Sequence, residues 1–520
     1  MLRSVEPFRV GLCQVPAYPL ERAEENWTAI LAALDEAGRQ GAQLVGLPEC
    51  SYPAYYVRDE RPYDRPGVRP FAEVSAALAA KCRQWGYWLA AGLAVPHPDG
   101  SLTNSGLVFD PAGEIRGRYD KSFLWHFDAR WFRRGREFPV WDAGFARFGV
   151  LICADARQPE VARALAVNGA EVILDLTAWV SWGRTMAELS TTQCEYLVPV
   201  RAFENGVWIA AADRYGPEGT SLVYAGRSSV YDPEGVTRFC APADVGTTVV
   251  FEIEPMRVER PARRPGLYRR LTEPTASLPV TELLGQAVVP AAESRRVAVV
   301  PSRPAFDPEA VLAAYLDQRE QDADLVVIGG APAAEGWEAA LPRLEAAVRE
   351  RGGSVLFGVA GDGGRPRQTA VLVHPGGTVV HEASHGRGIA TGETLPPVVA
   401  TPAGRVGILC GEEGYVPEVA RILMLEGAEV LAWTHFADAP MTEQVARARS
   451  DENRVYTAVA GPETGIIVAP HGAPMTIAPR GSGLAMAVQV NPAMTRWKDM
   501  APGTNALTDR IPEAYGVLTA

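Results

Sequence analysis

The fold can be inferred outward from one stretch, Phe148-Gly-Val-Leu-Ile-Cys-Ala-Asp-Ala-Arg-Gln-Pro-Glu160. Its apolar start predicts a buried strand that ends at Cys153, and Pro159 opens a helical pattern a few residues later. A strand followed by a helix places the thiol at the carboxyl end of the strand, where open α/β sheets bind ligands. Two interpretations of Cys153 follow: a nucleophile activated by its surroundings, or a buried structural cysteine.

The composition is typical of a globular protein with more than one domain. At 520 residues the chain exceeds one ordinary core, and its 47% apolar and 22% charged residues fit a soluble fold. The net charge of −12 argues against nucleic acid or an anionic membrane surface as the main partner. Residues 1–7 lack the apolar core of a signal peptide, and no window approaches the ~20 apolar residues of a membrane-spanning helix.

The cysteines favour a reducing location. There are seven, they are widely scattered, and none forms a C-x-x-C pair, so zinc and redox motifs find no support. The seven histidines are also scattered. The sequence therefore predicts a cytoplasmic protein without a metal site.

Predicted strands alternate with predicted helices in the first half, which indicates an α/β fold. Residues 42–47 are mostly apolar and predict a buried strand, which ends in Pro48-Glu49-Cys50. Glu49 is therefore expected just past the carboxyl end of a strand, like Cys153. Further on, Lys121 precedes an aromatic stretch, residues 123–132, which either lines a pocket or fills the core.

The second half of the chain repeats the first. Pro417-Glu-Val-Ala-Arg421 matches Pro159-Glu-Val-Ala-Arg163 at an offset of 258 positions, and the same offset pairs Gly427-Ala-Glu-Val430 with Gly169-Ala-Glu-Val172. A repeat of this length indicates duplicated domains and not a solenoid.

Three polar residues at expected loop ends are replaced in the repeat. In the shared register the replacements are Glu49 by Gly330, Lys121 by His385 and Cys153 by Gly411. The scaffold around them is kept. Their joint loss is expected if the three worked together and the second domain no longer performs the chemistry.

A thiol, a carboxylate and an ammonium group form a coherent catalytic set. Glu49 would act as the general base that takes the thiol proton and later activates water. Lys121 would favour the thiolate and stabilise the oxyanion of a tetrahedral intermediate. This set needs neither a metal ion nor an organic cofactor.

These motifs resemble those of the carbon–nitrogen hydrolase (nitrilase) superfamily. The matching pieces are the opening strand, Leu47-Pro-Glu49, Asp120-Lys121, Cys153 to Glu160, Arg201-Ala-Phe-Glu-Asn205, Gly226-Arg-Ser-Ser and Asp232-Pro-Glu-Gly235. The resemblance covers roughly residues 6–270 with the catalytic motifs and 295–500 as scaffold only. It implies an αββα sandwich, duplicated in tandem, with a triad of Glu49, Lys121 and Cys153. It also implies hydrolysis of a non-peptide C–N bond through a covalent thioester.

Four further residues are candidates for substrate binding. Many amidase and carbamoylase members of the superfamily have a second glutamate after the lysine, and Asp128 takes its place here. Arg157 suits bidentate recognition of a substrate carboxylate, or it is structural and pairs with a neighbouring carboxylate. Tyr55 and Trp179 suggest a partly apolar pocket, although aromatic side chains are more often core.

The residues after the cysteine bear on the reaction. The pattern Cys-x-Asp-x-Arg-x-Pro-Glu resembles the amidase and carbamoylase branches more than the nitrile-cleaving branch. The resemblance therefore favours a hydrolase that cleaves an amide or N-carbamoyl group of a small molecule and releases ammonia. A nitrilase that makes acid from nitrile, an acyltransferase and a non-catalytic scaffold stay open as alternatives.

The repeat and the composition together predict the domain organisation. We expect a catalytic domain over residues 1–273, a linker rich in proline and alanine over 274–294, and a degenerate domain without the triad over 295–520. Members of the superfamily usually pair two αββα domains across a symmetric interface. The resemblance therefore implies an intramolecular pseudo-dimer, with further homo-oligomer formation left open.

Overall fold

The computed structural model describes residues 6–284, 294–302, 307–332, 337–361 and 366–520. They form two compact units: the first extends to Val258 and includes residues 501–504, and the second comprises residues 259–500 and 505–520. Part of the expected linker, residues 285–293, lies outside the described residues, as does most of the N-terminal segment, residues 1–5. The predicted domain limits stay a prediction.

Within its described residues, the first unit contains two β-sheets, a short hairpin and four α-helices. Its strands are β1 (Phe8–Gln14), β2 (Leu44–Tyr52), β3 (Trp88–Pro96), β4 (Leu102–Phe109), β5 (Ile115–Asp120), β6 (Phe132–Arg133), β7 (Val140–Asp142), β8 (Arg147–Ile152), β9 (Val172–Leu176), β10 (Trp208–Ala212), β11 (Tyr215–Glu218), β12 (Leu222–Ala225), β13 (Ser229–Tyr231), β14 (Thr237–Cys240) and β15 (Thr247–Ile253). Its helices are α1 (Ala23–Arg39), α2 (Phe71–Trp85), α3 (Pro159–Val167) and α4 (Val198–Asn205).

The strand order identifies both sheets as α/β sheets with parallel centres. The first sheet has the order β15-β1-β2-β3-β4-β5, with β6 beside β4, and the second has the order β14-β13-β10-β9-β8-β7. Strands β1, β2 and β3 are parallel, as are β8, β9 and β10. The carboxyl ends of the parallel strands therefore meet at one edge of each sheet, where ligands bind in such folds.

The helices of the first unit cover the outer faces of the two sheets. Apolar residues of α1 recur at helical spacing, and Trp27, Ile30 and Leu34 are buried against the first sheet. Leu165 of α3 packs on the second sheet, 3.0 Å from the position of a Cβ atom at Gly149. Among the described residues, no helix combines the length and the apolar character needed to cross a membrane.

The two sheets of the first unit pack face to face. A Cβ atom at Gly106 in the first sheet would lie 2.8 Å from Val150 and 3.1 Å from Leu176 in the second sheet. Glycine thus makes room for large apolar side chains from the opposite sheet. This arrangement of helix, sheet, sheet and helix confirms the αββα fold.

The second unit repeats this architecture. Its strands, with the final pair at the unit boundary, are β16 (Arg295–Val300), β17 (Leu325–Ile328), β18 (Ala331–Pro332), β19 (Val355–Ala360), β20 (Gln368–His374), β21 (Gly377–Glu382), β22 (Val398–Thr401), β23 (Gly404–Cys410), β24 (Val430–Thr434), β25 (Tyr456–Ala460), β26 (Gly465–Val468), β27 (Pro474–Ile477), β28 (Met486–Val490), β29 (Asp499–Ala501) and β30 (Thr504–Asn505). Its helices are α5 (Val280–Leu284), α6 (Pro308–Glu320), α7 (Leu341–Arg351), α8 (Pro417–Leu425), α9 (Thr442–Asn453) and α10 (Gly516–Thr519).

The topology of the second unit confirms the tandem duplication. Its sheets have the orders β21-β20-β19-β17-β16-β28 and β22-β23-β24-β25-β26-β27. Helix α8 starts at Pro417, 258 positions after the start of α3 at Pro159. Cys153 and Gly411 both follow a strand and both have positive φ, 49° and 57°. The register that pairs these two residues is therefore correct.

The structure corrects the expected position of Glu49. Strand β2 does not end at Leu47 but continues to Tyr52. Its pairing with β3 is regular up to Leu47, is interrupted, and resumes at Tyr52. Glu49 lies in this interruption, where β3 approaches so closely that a Cβ atom at Gly92 would lie 2.1 Å from the Pro48 carbonyl oxygen. Glycine at this position is what allows the irregular strand to pack.

The aromatic stretch at residues 123–132 contributes mainly to the core. Phe123, Leu124, Trp131 and Phe132 are buried, and residues 126–130 form a 3-10 turn. Most of these side chains join a cluster with Tyr55. Of the two interpretations of this stretch, core packing describes these buried side chains.

Candidate active site

Lys121 lies between two buried carboxylates at the edge of the first sheet. Its Nζ is 2.6 Å from Glu49 Oε1 and 2.6 Å from Asp128 Oδ2, and all three side chains are 0% exposed. Burial by itself lowers the pKa of Lys121, but Asp128 and Glu49 outweigh it and raise that pKa well above the usual value. The site therefore holds a charged ammonium group in a fixed position.

The two oxygens of Glu49 have different surroundings. Oε1 accepts hydrogen bonds from Lys121 Nζ and from Asn104 Nδ2, at 2.6 and 2.7 Å. Oε2 is buried and has no hydrogen-bond partner among the described residues. Burial raises the pKa of Glu49, and Lys121 partly opposes this shift. Glu49 thus presents one anchored oxygen and one oxygen available to receive a proton.

Cys153 opens a 3-10 turn, Cys153–Arg157, directly after β8. Its φ of 49° is unusual for a residue with a side chain, and the residue is 6% exposed. Burial and the charge of Glu49 raise the pKa of the Cys153 thiol, while Lys121 and the Ala178 N–H lower it. Because the pKa is raised overall, a nucleophilic role for this thiol would require a neighbouring base.

Asp155 connects the lysine loop to the cysteine turn. Its Oδ1 accepts from the N–H groups of Ser122 and Phe123, and its Oδ2 accepts from the Ile152 N–H and the Tyr119 hydroxyl. The residue after Lys121 and the residue before Cys153 are thereby held by one buried side chain. Together with the Lys121–Glu49 ion pair, this brings the three predicted catalytic residues into one site.

Asp128 and Tyr55, both predicted to bind substrate, belong to the same site. The Tyr55 hydroxyl donates to Asp128 Oδ1 at 3.1 Å, and the Trp125 N–H donates to Asp128 Oδ2 at 3.1 Å. The His126 N–H in this loop donates to Thr504 Oγ1, within the first unit. Tyr55 therefore reaches Lys121 through Asp128, and the aspartate is fixed from two sides.

Arg157 and Trp179 are positioned by contacts with residues outside the triad. Arg157 Nη2 donates to Thr192 Oγ1 at 3.2 Å, and its guanidinium carbon lies 4.7 Å from the Trp125 ring centre. The Trp179 side chain is buried, and the backbone N–H of this residue donates to Asp213 Oδ1 at 2.9 Å. Within the described part of the chain, no group of three or more His, Cys, Asp or Glu side chains is arranged to hold a metal ion.

Three polar residues of the site were not predicted from the sequence: Asn104, Asp175 and Gln193. Asp175 Oδ1 accepts from the Cys153 N–H at 2.9 Å. Gln193 lies in a π-helical turn. In the amide orientation that satisfies both neighbours, it donates from Nε2 to the Cys153 carbonyl at 2.8 Å and accepts at Oε1 from Trp179 Nε1 at 3.2 Å. Only Asp175 had a visible signal, because it interrupts the apolar run Val172-Ile-Leu-Asp-Leu176.

The second unit shows which residues occupy the equivalent positions. The Glu49 N–H donates to the Thr177 carbonyl, and the Gly330 N–H donates to the equivalent His435 carbonyl. Gly330 therefore stands at the position of Glu49.

For the lysine, the expected replacement by His385 is wrong. The Lys121 N–H donates to Asn104 and the Ala383 N–H donates to Gln368, and in both units the next residue is a serine bound to the central carboxylate, Asp155 or Glu413. Ala383 is thus the residue at the lysine position. It lies two positions before His385, because the segment that leads to it is two residues shorter than the sequence match assumed.

Side chains fill the space beside these positions in the second unit. A Cβ atom at Gly330 would lie 2.6 Å from the Phe436 ring, and one at Gly411 would lie 2.1 Å from Gln368 Oε1. Even an alanine at either position would therefore require movement. The second unit therefore has the same fold, but the Phe436 ring and the Gln368 amide occupy the space beside its triad positions.

Comparisons with known proteins show which family the chain is similar to. A family model described as carbon-nitrogen hydrolase matches residues 9–260 and 306–493. A nitrilase from Pyrococcus abyssi is 35% identical over 213 residues, which cover 41% of this chain and 76% of that protein. An omega-amidase from Xenopus laevis is 27% identical over 277 residues, covering 50% and 96%. The solved structure of an amidase from Nesterenkonia sp. is 28% identical, covers 48% of this chain and 92% of its own, and has a TM-score of 0.43.

Proposed function

The chain belongs to the carbon–nitrogen hydrolase family, and from that premise we propose that its first unit hydrolyses an amide or N-carbamoyl group of a small molecule through a thioester on Cys153. The observation that carries the proposal is the pairing of a buried ammonium, Lys121, with a carboxylate whose second oxygen, Glu49 Oε2, has no hydrogen-bond partner among the described residues. An acid–base group and an oxyanion donor are the two things that thiol attack on an amide requires.

In the first half of the proposed reaction, Glu49 takes the proton from the Cys153 thiol as sulfur attacks the carbonyl carbon. The carbonyl π electrons move to oxygen, and the Lys121 ammonium stabilises the resulting oxyanion. When the tetrahedral intermediate collapses, the C–N bond breaks. Glu49 returns its proton to the leaving nitrogen, which departs as ammonia and leaves a thioester.

In the second half, water attacks the thioester carbon and gives a proton to Glu49. The second tetrahedral intermediate again places its negative charge beside Lys121. Its collapse breaks the C–S bond, releases the carboxylic acid, or a carbamic acid that breaks down to CO₂, and returns the proton to sulfur. Glu49 can serve both halves because Lys121 and Asn104 hold its other oxygen in place.

The substrate groups follow from the residues around the triad. Asp128 is proposed to orient the amide or the attacking water. Its contacts with Tyr55 and Lys121 support this role. Arg157 is proposed to bind a substrate carboxylate, because its guanidinium matches a carboxylate in geometry. Trp179 is proposed as an apolar wall. Relatives named omega-amidase support an amide as the substrate class.

A nitrile is the second candidate substrate, supported by the relative named nitrilase. The same thiol would add to the nitrile carbon and form a thioimidate instead of a thioester. Water would then release ammonia and leave the thioester that both reactions share. The mass of the first adduct distinguishes the two, because a thioimidate retains the nitrile nitrogen.

Product analysis tests the proposal. Purified protein would be incubated with panels of amides, N-carbamoyl amino acids and nitriles, with Cys153→Ala as the control, and ammonia, CO₂ and acid would be quantified. The proposal expects ammonia from an amide, or ammonia with CO₂ from a carbamoyl compound. Turnover of nitriles alone would assign the second candidate instead. Turnover unaffected by Cys153→Ala would refute the thiol mechanism.

The remaining parts of the proposal concern the second unit and the location. We assign no bond cleavage to the second unit, because glycine and alanine occupy its triad positions. The seven cysteines carry free thiols, which supports a reducing, cytoplasmic location.

A further inference from the structure

Side chains hold both backbone polar groups of Cys153. Its N–H donates to Asp175 Oδ1 at 2.9 Å, and its carbonyl accepts from Gln193 Nε2 at 2.8 Å. Asp175 is 0% exposed and lies in the central strand β9, paired with Leu151 of β8. A carboxylate in an apolar strand costs free energy through desolvation, so its contact with Cys153 calls for an explanation.

The conformation of Cys153 supplies that explanation. At a φ of 49° the residue occupies the left-handed region, which a residue with a Cβ atom adopts only when its surroundings impose it. Because this conformation points the N–H toward β9, a hydrogen-bond acceptor there stabilises it directly. Asp175 Oδ1 is that acceptor.

The second unit provides an internal comparison. Gly411 stands at the position of Cys153, and glycine adopts its φ of 57° without cost. Trp433 stands at the position of Asp175 and donates from Nε1 to the Gly411 carbonyl at 2.7 Å. In both units a side chain thus donates to the carbonyl of this residue, Cys153 or Gly411. Among the described residues, a carboxylate that accepts from its N–H is found only in the first unit, which has the cysteine.

We propose that Asp175 is a positioning residue for the reaction, which fixes the Cys153 backbone so that the thiol faces Glu49 and the substrate carbonyl. The inference rests on the proposed function, since it takes Cys153 as the nucleophile. Asp175 acts through Cys153 and does not itself exchange protons with the substrate. What matters is the acceptor at Oδ1, not the charge of the carboxylate.

A set of three substitutions separates acceptor from charge. Asp175→Asn keeps an oxygen acceptor and the shape but removes the charge. Asp175→Leu keeps the branched shape but removes the acceptor, and Asp175→Glu keeps the charge but displaces the acceptor by one methylene. Asp232→Asn is the matched control, because Asp232 is also buried but accepts from the Glu234 and Val236 N–H groups of a turn.

Two readouts are needed. The first is the rate at which iodoacetamide alkylates Cys153, mapped by peptide mass spectrometry with the other cysteines as references. The second is kcat and KM for the most active compound of the product panel. We expect Asp175→Asn to stay within about 3-fold of wild type, and Asp175→Leu and Asp175→Glu to lose roughly 10- to 100-fold in kcat and in Cys153 alkylation, with KM little changed.

The outcomes are distinguishable. Equal activity of all three variants would overturn the inference, and so would loss in Asp175→Asn with full activity in Asp175→Glu, which would assign the effect to charge. If Asp175→Leu does not fold, the Asn and Glu variants still decide. Cys153→Ala, run in parallel, separates the two levels: if it retains turnover the proposed function fails, and if it alone is inactive only the inference about Asp175 fails.

Discussion

At the scale of single residues, the site depends on the unequal roles of the two oxygens of Glu49. Lys121 and Asn104 bind Oε1 and fix the carboxylate, whereas Oε2 has no hydrogen-bond partner among the described residues. A buried carboxylate without partners on one oxygen is costly in a purely structural role. The arrangement is consistent with a general base whose pKa is raised by burial.

Glu49→Gln tests this role with almost no change in shape. The amide cannot accept the thiol proton, so kcat is expected to fall by at least about 100-fold, and the protein should remain folded. The measurement is kcat with a thermal unfolding curve on the same sample. Retention of more than a tenth of wild-type kcat would argue that another group is the base.

The second residue-scale prediction concerns Asp128. Asp128→Asn leaves Lys121 with a single carboxylate and weakens a charge-assisted contact in a dry site, so kcat is expected to fall roughly 10- to 100-fold. Tyr55→Phe removes one neutral hydrogen bond to the same carboxylate and should cost only about 2- to 10-fold. A larger effect of Tyr55→Phe than of Asp128→Asn would contradict this order.

Sequence reasoning recovered those site residues that lie in short motifs. Glu49, Lys121 and Cys153 each end a recognisable segment, so motif and repeat found them. Asn104 and Gln193 carry no local signal, because their contacts with Glu49 and Cys153 arise only when distant segments are packed together. The sequence match paired Lys121 with His385 instead of Ala383 for the same reason. The position of an insertion or deletion between two strands becomes visible only when the hydrogen bonds of the folded chain are known.

At the scale of elements, buried carboxylates gather at the carboxyl ends of the central strands. Glu49 lies in the irregular end of β2, Asp175 near the end of β9, and Asp213 directly after β10. The edge of a parallel sheet offers backbone N–H groups and neighbouring loops as partners, which is why these positions tolerate polar side chains. Burial raises the pKa values of Asp175 and Asp213, and the charge of Glu49 adds to both shifts.

The raised pKa of Asp213 should make the stability of the protein depend on pH. Burial raises the pKa of Asp213 to about 8, against hydrogen bonds from the Trp179 N–H and the Thr177 hydroxyl that lower it. In the unfolded chain an aspartate titrates at about pH 4. Between about pH 4 and about pH 8 the folded protein therefore holds a proton that the unfolded chain lacks, and stability falls as pH rises, by up to about 1.4 kcal/mol per pH unit.

Asp213→Asn removes this dependence. The unfolding temperature of the variant is expected to fall less than that of wild type between about pH 5 and about pH 8, and the difference should level off above about pH 8. Asp232→Asn, at a buried turn aspartate paired with Arg238, is the control. Parallel pH curves for wild type and Asp213→Asn would contradict the prediction.

Most elements were predictable from hydrophobic pattern. The strand over Phe8–Gln14 and the helix over Phe71–Trp85 coincide with their apolar runs and helical spacing. The helix containing Arg201 covers Val198–Asn205 and directly continues a π-helical turn, Gln193–Leu197. The turn after Cys153 could not be foreseen, since its positive φ reflects tertiary contacts and not propensity.

At the scale of the whole molecule, the two units share the same fold but differ at the position of the candidate site. The central carboxylate that joins two loops is retained, as Asp155 in one unit and Glu413 in the other. The triad positions are not, and Phe436 and Gln368 take up the space beside them. Folding and catalysis therefore placed separate requirements on this sequence.

Gly411→Ala tests whether the second unit has closed its site. The new methyl group would meet Gln368 Oε1, and the φ of 57° disfavours any residue but glycine, so a loss of about 1–3 kcal/mol in stability is expected. Gly388→Ala is the control, because its φ of 67° is similar but no atom lies within 4 Å of the Cβ position. Equal unfolding temperatures for both variants would show that the space is open.

The most direct test of the account is the mass of the intact protein after incubation with the amide, carbamoyl and nitrile panels. Wild type, Cys153→Ala and Cys410→Ala would be compared, the last because Cys410 is the buried cysteine next to the equivalent position in the second unit. We predict a covalent adduct on wild type and on Cys410→Ala, and none on Cys153→Ala. An adduct that persists in Cys153→Ala, or is lost in Cys410→Ala, would contradict the assignment of catalysis to the first unit.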